Sequence, residues 1–251
     1  MRCRRCDTGW VFWTPYPRDV VQIAGADAAT FLHSQLSQET RQLAIGESAW
    51  SFLLQPTGKV EVLLRVWRTG DDVFVLDTDA GFGERMVARL NLFKIRVKAE
   101  LTVLPWVCIA LRGEGAADEA GVASWGGGVD LLGEIPAAPP SAVPGSADQL
   151  LAARIEAVWP AMGHEIIPGE TIPGETGVVP LAVNFTKGCY PGQELVERMD
   201  SRGATPPKSL RYVLVPVGTT VGAAHEIDGK SVGVVTSVSG TAALAMVKRG
   251  A

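Results

Sequence analysis

Between residues 49 and 111 the chain places strand-length apolar runs one after another with little between them. That succession constrains the fold more than any other feature. Residues 49–55, 58–68 and 72–77 read as three strands, because Pro56-Thr57-Gly58 and Thr69-Gly70-Asp71 supply the turns between them. In the third, Val73 and Val75 face one way and Phe74 and Leu76 the other, so this strand is expected to be covered on both sides. Residues 82–92 fit an amphipathic helix with Met86, Val87, Leu90 and Phe93 on or near one stripe. Residues 93–97 and 100–103 lead into another strand, and 105–111 is a further apolar one. Strands, a helix and more strands predict an α+β layer, an antiparallel sheet with helices on one face.

The flanks are more varied. Residues 20–23 read as a short strand and 28–35 as a helix, with Asp27 as its N-cap and Ala28, Phe31, Leu32 and Leu36 as core. Residues 112–150 are rich in Gly, Ala, Pro and Ser and read as a flexible connection or a degraded lobe. The Trp125-Gly126-Gly127-Gly128 turn lacks the Gly-Lys-Ser/Thr ending of a phosphate loop. A helix is expected over 149–158, capped by Ser146 or Asp148, and His164 in the irregular stretch beyond it reads as a surface residue. After a linker at 204–207, strands at 210–217, 230–236 and 242–247 fit a small antiparallel barrel. So short a segment buries little core alone and is expected to dock on the rest of the chain.

The 251 residues carry a net charge of −4, which argues against generic binding to nucleic-acid phosphate or an anionic membrane surface. An anionic small ligand would need a local basic pocket. No run approaches the ~18 apolar residues of a membrane helix, and the N-terminus lacks a signal-peptide core, so a cytoplasmic protein is expected. The cysteines are Cys3, Cys6, Cys108 and Cys189, and no disulfide is expected among them. Cys3 and Cys6 have the spacing of half a zinc or redox site, but no second half follows; a frayed basic terminus within a tail over 1–16 is the simpler reading. Cys108 lies in an apolar run and reads as core, and no metal site is expected.

Residues 186–203, T-K-G-C-Y-P-G-Q-E-L-V-E-R-M-D-S-R-G, hold the densest set of functional groups. The apolar run 178–185 before them reads as a buried strand or extended segment, and 193–199 as a short helix opened by the Pro191-Gly192 turn, with Glu194 in its first turn. A cysteine beside a lysine, at a turn leading into a helix, is a setting for a reactive thiolate; a small residue filling a tight turn is the plain alternative.

Lys187-Gly188-Cys189-Tyr190-Pro191-Gly192-Gln193-Glu194 matches K-G-C-[FY]-x-G-Q-E, the signature of the YgfZ-type folate-binding proteins, relatives of the glycine cleavage aminomethyltransferase (T-protein). Phe31-Leu32-His33-Ser34-Gln35-Leu36 resembles that family's F-L-x-x-Q-L, and Gln55-Pro56-Thr57-Gly58-Lys59-Val60 resembles its x-P-x-G-[KR]-[IV]. Arg154-Ile155-Glu156, Thr171-Ile172-Pro173-Gly174-Glu175 and Val232-Gly233-Val234-Val235-Thr236-Ser237 extend the resemblance over roughly residues 17–249. Ser37-Gln38-Glu39-Thr40 departs from the family's T-N-D-V, which puts any role of that Asn-Asp pair in doubt.

The resemblance implies a multi-lobed, T-protein-like α+β fold with a ferredoxin-like layer, a small C-terminal antiparallel β-barrel and folate in a central channel. The expected divisions are 1–45 as the first part of the folate-binding domain and 46–111 as the ferredoxin-like domain. A connection at 112–148, the folate-binding domain continued over 149–205 and the barrel over 206–251 complete them. A folate needs an amide or acid for its pterin edge, apolar or aromatic walls, and Arg or Lys for its glutamyl tail. Gln193 and Glu194 are candidates for the edge, Tyr190, Trp67 and Trp106 for the walls, and Lys187, Arg154, Arg198 or Arg202 for the tail. Gly188 and Gly192 let backbone approach the ligand.

The implied function is a tetrahydrofolate-binding accessory protein in the assembly or repair of iron–sulfur enzymes. Cys189 is its reactive thiol, iron–sulfur client or assembly proteins are its partners, and a monomer is expected. The alternative is a folate-dependent aminomethyl or methyl transferase. It needs the T-protein's Asp-Asp pair, where this chain has Val60-Glu61-Val62-Leu63-Leu64, with apolar residues at those positions and Glu61 nearby but expected on the wrong face. Whether the chain turns over a substrate of its own stays open.

Overall fold

The computed structural model describes residues 10–201 and 203–250. Its described chain opens on β1 (Phe12–Pro15) and β2 (Arg18–Ala24), which belong to different sheets. β2 joins β3 (Ser48–Leu54), β4 (Val60–Gly70), β5 (Val73–Asp79) and β6 (Glu100–Leu104) in the order β3-β4-β5-β2-β6, antiparallel throughout. Helices α1 (Ala28–Gln35) and α2 (Gly83–Asn91) cover one face of this sheet. Alternation sorts the side chains. Leu53, Val62, Leu64, Val66, Phe74 and Leu76 meet Phe31, Leu32, Met86 and Leu90 of the helices. Phe52, Leu54, Val60 and Leu63 point to the other face and into a second core with Trp125, Trp159 and Met162.

β1 pairs antiparallel with β7 (Val107–Arg112) and continues a second sheet with β8 (Val122–Ala123), β9 (Val129–Gly133) and β10 (Val143–Pro144), in the order β10-β1-β7-β9-β8. Three expectations change here. Residues 12–15 are a paired strand rather than a tail. The stretch 112–148 is an ordered half of a sheet, built from strands too short for a periodicity to show. β2 and α1 share the sheet of residues 46–104, while β7 leaves it for the second sheet, so sheet membership does not follow the expected division at 45 and 111. Cys3 and Cys6 lie outside the described residues, and Cys108 is buried on β7.

α3 (Ala147–Glu156) starts at a capping box: Ser146 Oγ accepts from the Gln149 N–H at 3.2 Å and Gln149 Oε1 accepts from the Ser146 N–H at 2.9 Å. Asp27 takes the N-cap position of α1, but its side chain makes no capping hydrogen bond; its Oδ2 accepts instead from the Lys98 N–H at 2.7 Å, tying the helix entry to the approach to β6. The apolar run 178–185 is not a strand. Pro180 sits in the first turn of a single helical turn, α4 (Val179–Ala182), where its missing N–H costs nothing.

The C-terminal segment is a four-stranded antiparallel sheet of β11 (Lys208–Leu214), β12 (Ala224–Ile227), β13 (Lys230–Ser239) and β14 (Ala242–Lys248), in the order β11-β14-β13-β12. Its ends, β11 and β12, do not pair among the described residues, so it is an open sheet where a barrel was expected. It docks on α3, where Leu210, Leu244 and Met246 meet Ile155, Leu151 and Val158.

Candidate functional site

The K-G-C-Y-P-G-Q-E segment forms a loop that hands over to α5 (Gln193–Ser201), and the loop is fastened at both ends. At its start, Lys187 reaches the exposed C-terminal carbonyls of α1, its Nζ donating to the backbone oxygens of His33 and Leu36. A cation there meets both unsatisfied carbonyls and the negative end of the helix dipole. Burial lowers the Lys187 amine to about 8, with the charges of Glu39, Arg41 and Cys189 acting on it as well. His33 Nδ1 lies 2.9 Å from Glu39 Oε1 beside this contact. Burial, then the Lys187 charge, lowers the His33 imidazole below its ordinary value. Burial pushes the Glu39 carboxyl up, but the Arg41 N–H and the His33 and Arg41 charges outweigh it and leave it low.

At the loop's far end Gly192 adopts φ +83°, and a Cβ there would stand 2.3 Å from the Gln55 carbonyl oxygen. Gly58, at φ +84°, faces it in turn: a Cβ would meet Leu195 Cβ at 2.5 Å and the Gly192 oxygen at 3.1 Å. Gln55-Pro56-Thr57-Gly58 and the signature thus press backbone on backbone, which only glycine allows at both positions. Between the two fastenings Cys189 is exposed and its thiol is free. Tyr190 turns inward to the second core, its ring 4.9 Å from Lys187 Nζ and its hydroxyl buried without a hydrogen bond. Burial, with Glu197 and Glu194 nearby, raises that phenol.

Not every nominated residue joins this loop. Gln193 Oε1 accepts from the Tyr190 N–H at 2.8 Å and closes the turn from inside, so it serves the loop rather than a ligand edge. Glu194 is exposed on α5, as is Arg198. Arg202 lies outside the described residues. Arg154 belongs elsewhere: its Nη1 donates to Glu165 Oε2 and to the Trp159 oxygen, both at 2.9 Å, and its Nη2 donates to Ser237 Oγ at 2.5 Å. Ser37 is also structural, its Oγ donating to the Ala182 oxygen at 2.6 Å and accepting from the Phe52 N–H at 2.8 Å.

A separate cleft of about 470 Å³ opens between β1, the end of β5 and α3, lined by Tyr16, Asp79, Trp125, Leu150, Arg154 and Met162 among others. Tyr16 and Trp125 meet edge to face with ring centroids 6.2 Å apart. Asp79 Oδ1 accepts from the Tyr16 hydroxyl at 3.2 Å and from Arg18, and its Oδ2 accepts from the Met162 N–H at 2.9 Å. Beneath it lies a buried charge network. Asp77 accepts from Arg18 Nε at 2.8 Å and from Arg65 Nε at 2.9 Å; Asp130 accepts from Arg65 Nη1 at 3.0 Å and from Arg112 Nη1 at 2.9 Å. Burial raises the Asp130 carboxyl, but Arg65 and Arg112 outweigh it and hold it below the carboxylate range. Sequence reasoning passed over these residues, although Arg65, Asp77, Arg112 and Asp130 each interrupt an apolar strand, which is the available signal.

Leu63, in the stretch where the resemblance would put the T-protein's aspartates, is in a dry setting. Leu63 is 3% exposed in the second core, and its N–H points at Met162 Sδ, 3.3 Å away.

The fold is T-protein-like. The structure superposes on the glycine cleavage system aminomethyltransferase T from Bartonella henselae with a TM-score of 0.71 at 18% identity, covering 96% of this chain and 79% of that one. No protein-family model matches the chain. In sequence it is 24% identical over 230 residues to an uncharacterised protein of Haemophilus influenzae, covering 87% of this chain and 80% of that protein. It is 26% identical over 247 residues to the mitochondrial iron-sulfur cluster assembly factor IBA57 homolog of Phaeosphaeria nodorum, covering 85% of this chain but 57% of that longer protein. The chain is thus similar in sequence to an iron-sulfur cluster assembly factor homolog and in fold to the glycine cleavage T-protein. Among the described residues no helix is long and apolar enough to cross a membrane, and no group of three or more His, Cys, Asp or Glu is placed to hold a metal.

Proposed function

We propose that this chain is a folate-binding accessory factor in the assembly or repair of iron–sulfur enzymes, with Cys189 as its reactive thiol. One observation carries the reading: Cys189 is the exposed member of a loop whose other residues are spent on holding it. Lys187 anchors the loop to α1, Gly192 locks it against Gly58, and Gln193 closes its turn. A fixed, accessible thiol is what exchange with a protein partner requires. Similarity to an iron–sulfur cluster assembly factor homolog supports the same direction.

Folate is assigned to the cleft above the charge network. Its residue types suit the pterin edge and ring walls of a folate. Asp79 offers an acid, Tyr16 and Trp125 offer aromatic walls, and Arg154, already paired with Glu165, lies with the His164 imidazole along the lining. A bound tetrahydrofolate would supply one-carbon chemistry there. The chain's own part is to orient it, with the Asp79 carboxylate fixed by Tyr16, Arg18 and the Met162 N–H. One-carbon transfer by this chain is disfavoured, because apolar Leu63 and Met162 occupy the place where the transferase keeps its aspartates. The proposal places the factor in the cytoplasm, as a monomer, working with iron–sulfur client or assembly proteins.

Expression of the chain in a strain lacking its own YgfZ-type factor is expected to restore iron–sulfur enzyme activity, and Cys189→Ser is expected to abolish the rescue. Full rescue by Cys189→Ser would remove the thiol from the function. Calorimetric titration with tetrahydrofolate tests the cleft separately. Saturable binding weakened by Asp79→Asn and unaffected by Cys189→Ser is expected, and no binding at millimolar ligand would sink the folate assignment.

A further inference from the structure

A broad concave feature lies on the helix side of the Gln55–Gly58 turn. It is a cleft of about 770 Å³ bounded by that turn and α2, and Glu61, Arg85, Arg89, Leu92 and Phe93 line it. Arg89 is 6% exposed. Its Nε and Nη2 both donate to the Leu54 oxygen, at 3.2 and 2.8 Å, and its guanidinium stacks 4.2 Å from the Phe93 ring centroid. Its Nη1 is buried with no hydrogen bond, and no carboxylate of the described residues pairs with it. The nearest acid, Glu61, is taken: its Oε1 accepts from Arg85 Nη1 and its Oε2 from Gln55 Nε2, each at 2.6 Å. Burial accordingly lowers the Arg89 guanidinium below its ordinary value.

A buried guanidinium with one edge on a carbonyl, one face on an aromatic ring and one N–H free is a half-made recognition site for an oxyanion. Leaving that N–H unpaired costs about 1–3 kcal/mol, which a bound acceptor recovers. We infer that this cleft binds a small monoanionic carboxylate carrying an apolar body. One carboxylate oxygen takes Arg89 Nη1, and the body lies along Ala88, Leu92 and Phe93. Leu92 is 71% exposed and Phe93 40% exposed, so an apolar ligand removes surface from water that the chain itself leaves wet. The charge balance selects the carboxylate over phosphate. Arg85 and Arg89 are matched by Glu61 and Glu84 along the wall, so a dianion would meet two acids with no excess of cations. Through the Leu54 carbonyl the ligand sits one residue from the turn that holds Gly192. Nothing in the inference involves Cys189 or folate, so it stands or falls apart from the function proposed above.

The probe is benzoate, titrated against the full chain with backbone amides followed by NMR, and inorganic phosphate is run in parallel. Saturable benzoate shifts confined to residues 54–58 and 83–93 are expected, with phosphate giving none there. Removing a charge-assisted hydrogen bond of this kind lowers affinity about 10–100-fold, and that loss is expected for Arg89→Gln. If Arg89→Gln does not fold, Phe93→Ser, at an exposed position, carries the same test and is expected to weaken benzoate measurably. The inference is overturned by no saturable shift at millimolar benzoate, by shifts that both variants leave unchanged, or by phosphate acting on the same amides as strongly as benzoate.

Discussion

Lys187 sits where a helix runs out of donors. It fills the last carbonyls of α1 from a distant part of the chain, and half-burial lowers its amine from 10.5 to about 8. Below about pH 8 the amine is protonated in folded and unfolded chains alike. Between about 8 and 10.5 only the unfolded chain holds the proton, so the contribution of Lys187 to stability grows with pH across that window. Lys187→Met is therefore expected to fall further below the wild type in urea denaturation at about pH 10 than at about pH 7. An equal deficit at both values would show that the amine keeps its ordinary titration. The sequence marked Lys187 and Cys189 through their shared motif, but it assigned the lysine to a ligand. The carbonyls that take it, on His33 and Leu36, lie about 150 residues away and carry no side-chain signal.

The elements of the central sheet were legible because each has a period and a punctuation mark. The helix expected over 28–35 is found at Ala28–Gln35, and the turns at Pro56-Thr57-Gly58 and Thr69-Gly70-Asp71 separate β3, β4 and β5. Ser146 was one of two candidate caps for α3, and the capping box makes it the one used; Ser146→Ala is expected to cost about 1 kcal/mol in urea denaturation. The second sheet was not legible. β8 and β10 are two residues each, too short for alternation, and β1 joins β7 across some ninety residues of sequence. The two glycine turns were visible singly, yet their contact was not. Since a Cβ on Gly192 would stand 2.3 Å from the Gln55 oxygen at φ +83°, Gly192→Ala is expected to destabilise by about 2–4 kcal/mol. Gly203→Ala, at φ +54° with open space around it, isolates the backbone cost and is expected to lose about 1–2 kcal/mol. Thermal unfolding that moved both variants equally would mean that the interlock is not tight.

At the scale of the molecule, two sheets are joined through charge. Arg65 on β4 pairs across the strand with Asp77 and reaches over to Asp130 on β9, which Arg112 on β7 also holds. Arg65 and Asp130 are both fully buried, so the pairs carry a large desolvation cost and hold only while each charge has its partner. Asp130→Asn keeps the shape and removes the charge, leaving Arg112 without a carboxylate and Arg65 with Asp77 alone. A loss of about 3–5 kcal/mol is expected, measured by urea denaturation near neutral pH. The pH dependence distinguishes charge from packing. The folded Asp130 carboxyl lies below its ordinary 3.8, so its stabilisation is present above that value and is lost as pH falls through the lower folded value. The gap between wild type and Asp130→Asn is thus expected to narrow only on strong acidification, whereas a packing defect would keep it constant. Asp77, Asp130, Arg65 and Arg112 could be read from the sequence as charges interrupting apolar strands, but their mutual neutralisation needs both sheets in place. The T-protein-like fold holds buried ion pairs and a core that includes Leu63 and Met162, and the exposed Cys189 thiol stands outside both. Under the function proposed above, Asp130→Asn folded at low temperature is expected to retain Cys189-dependent rescue while losing thermal stability.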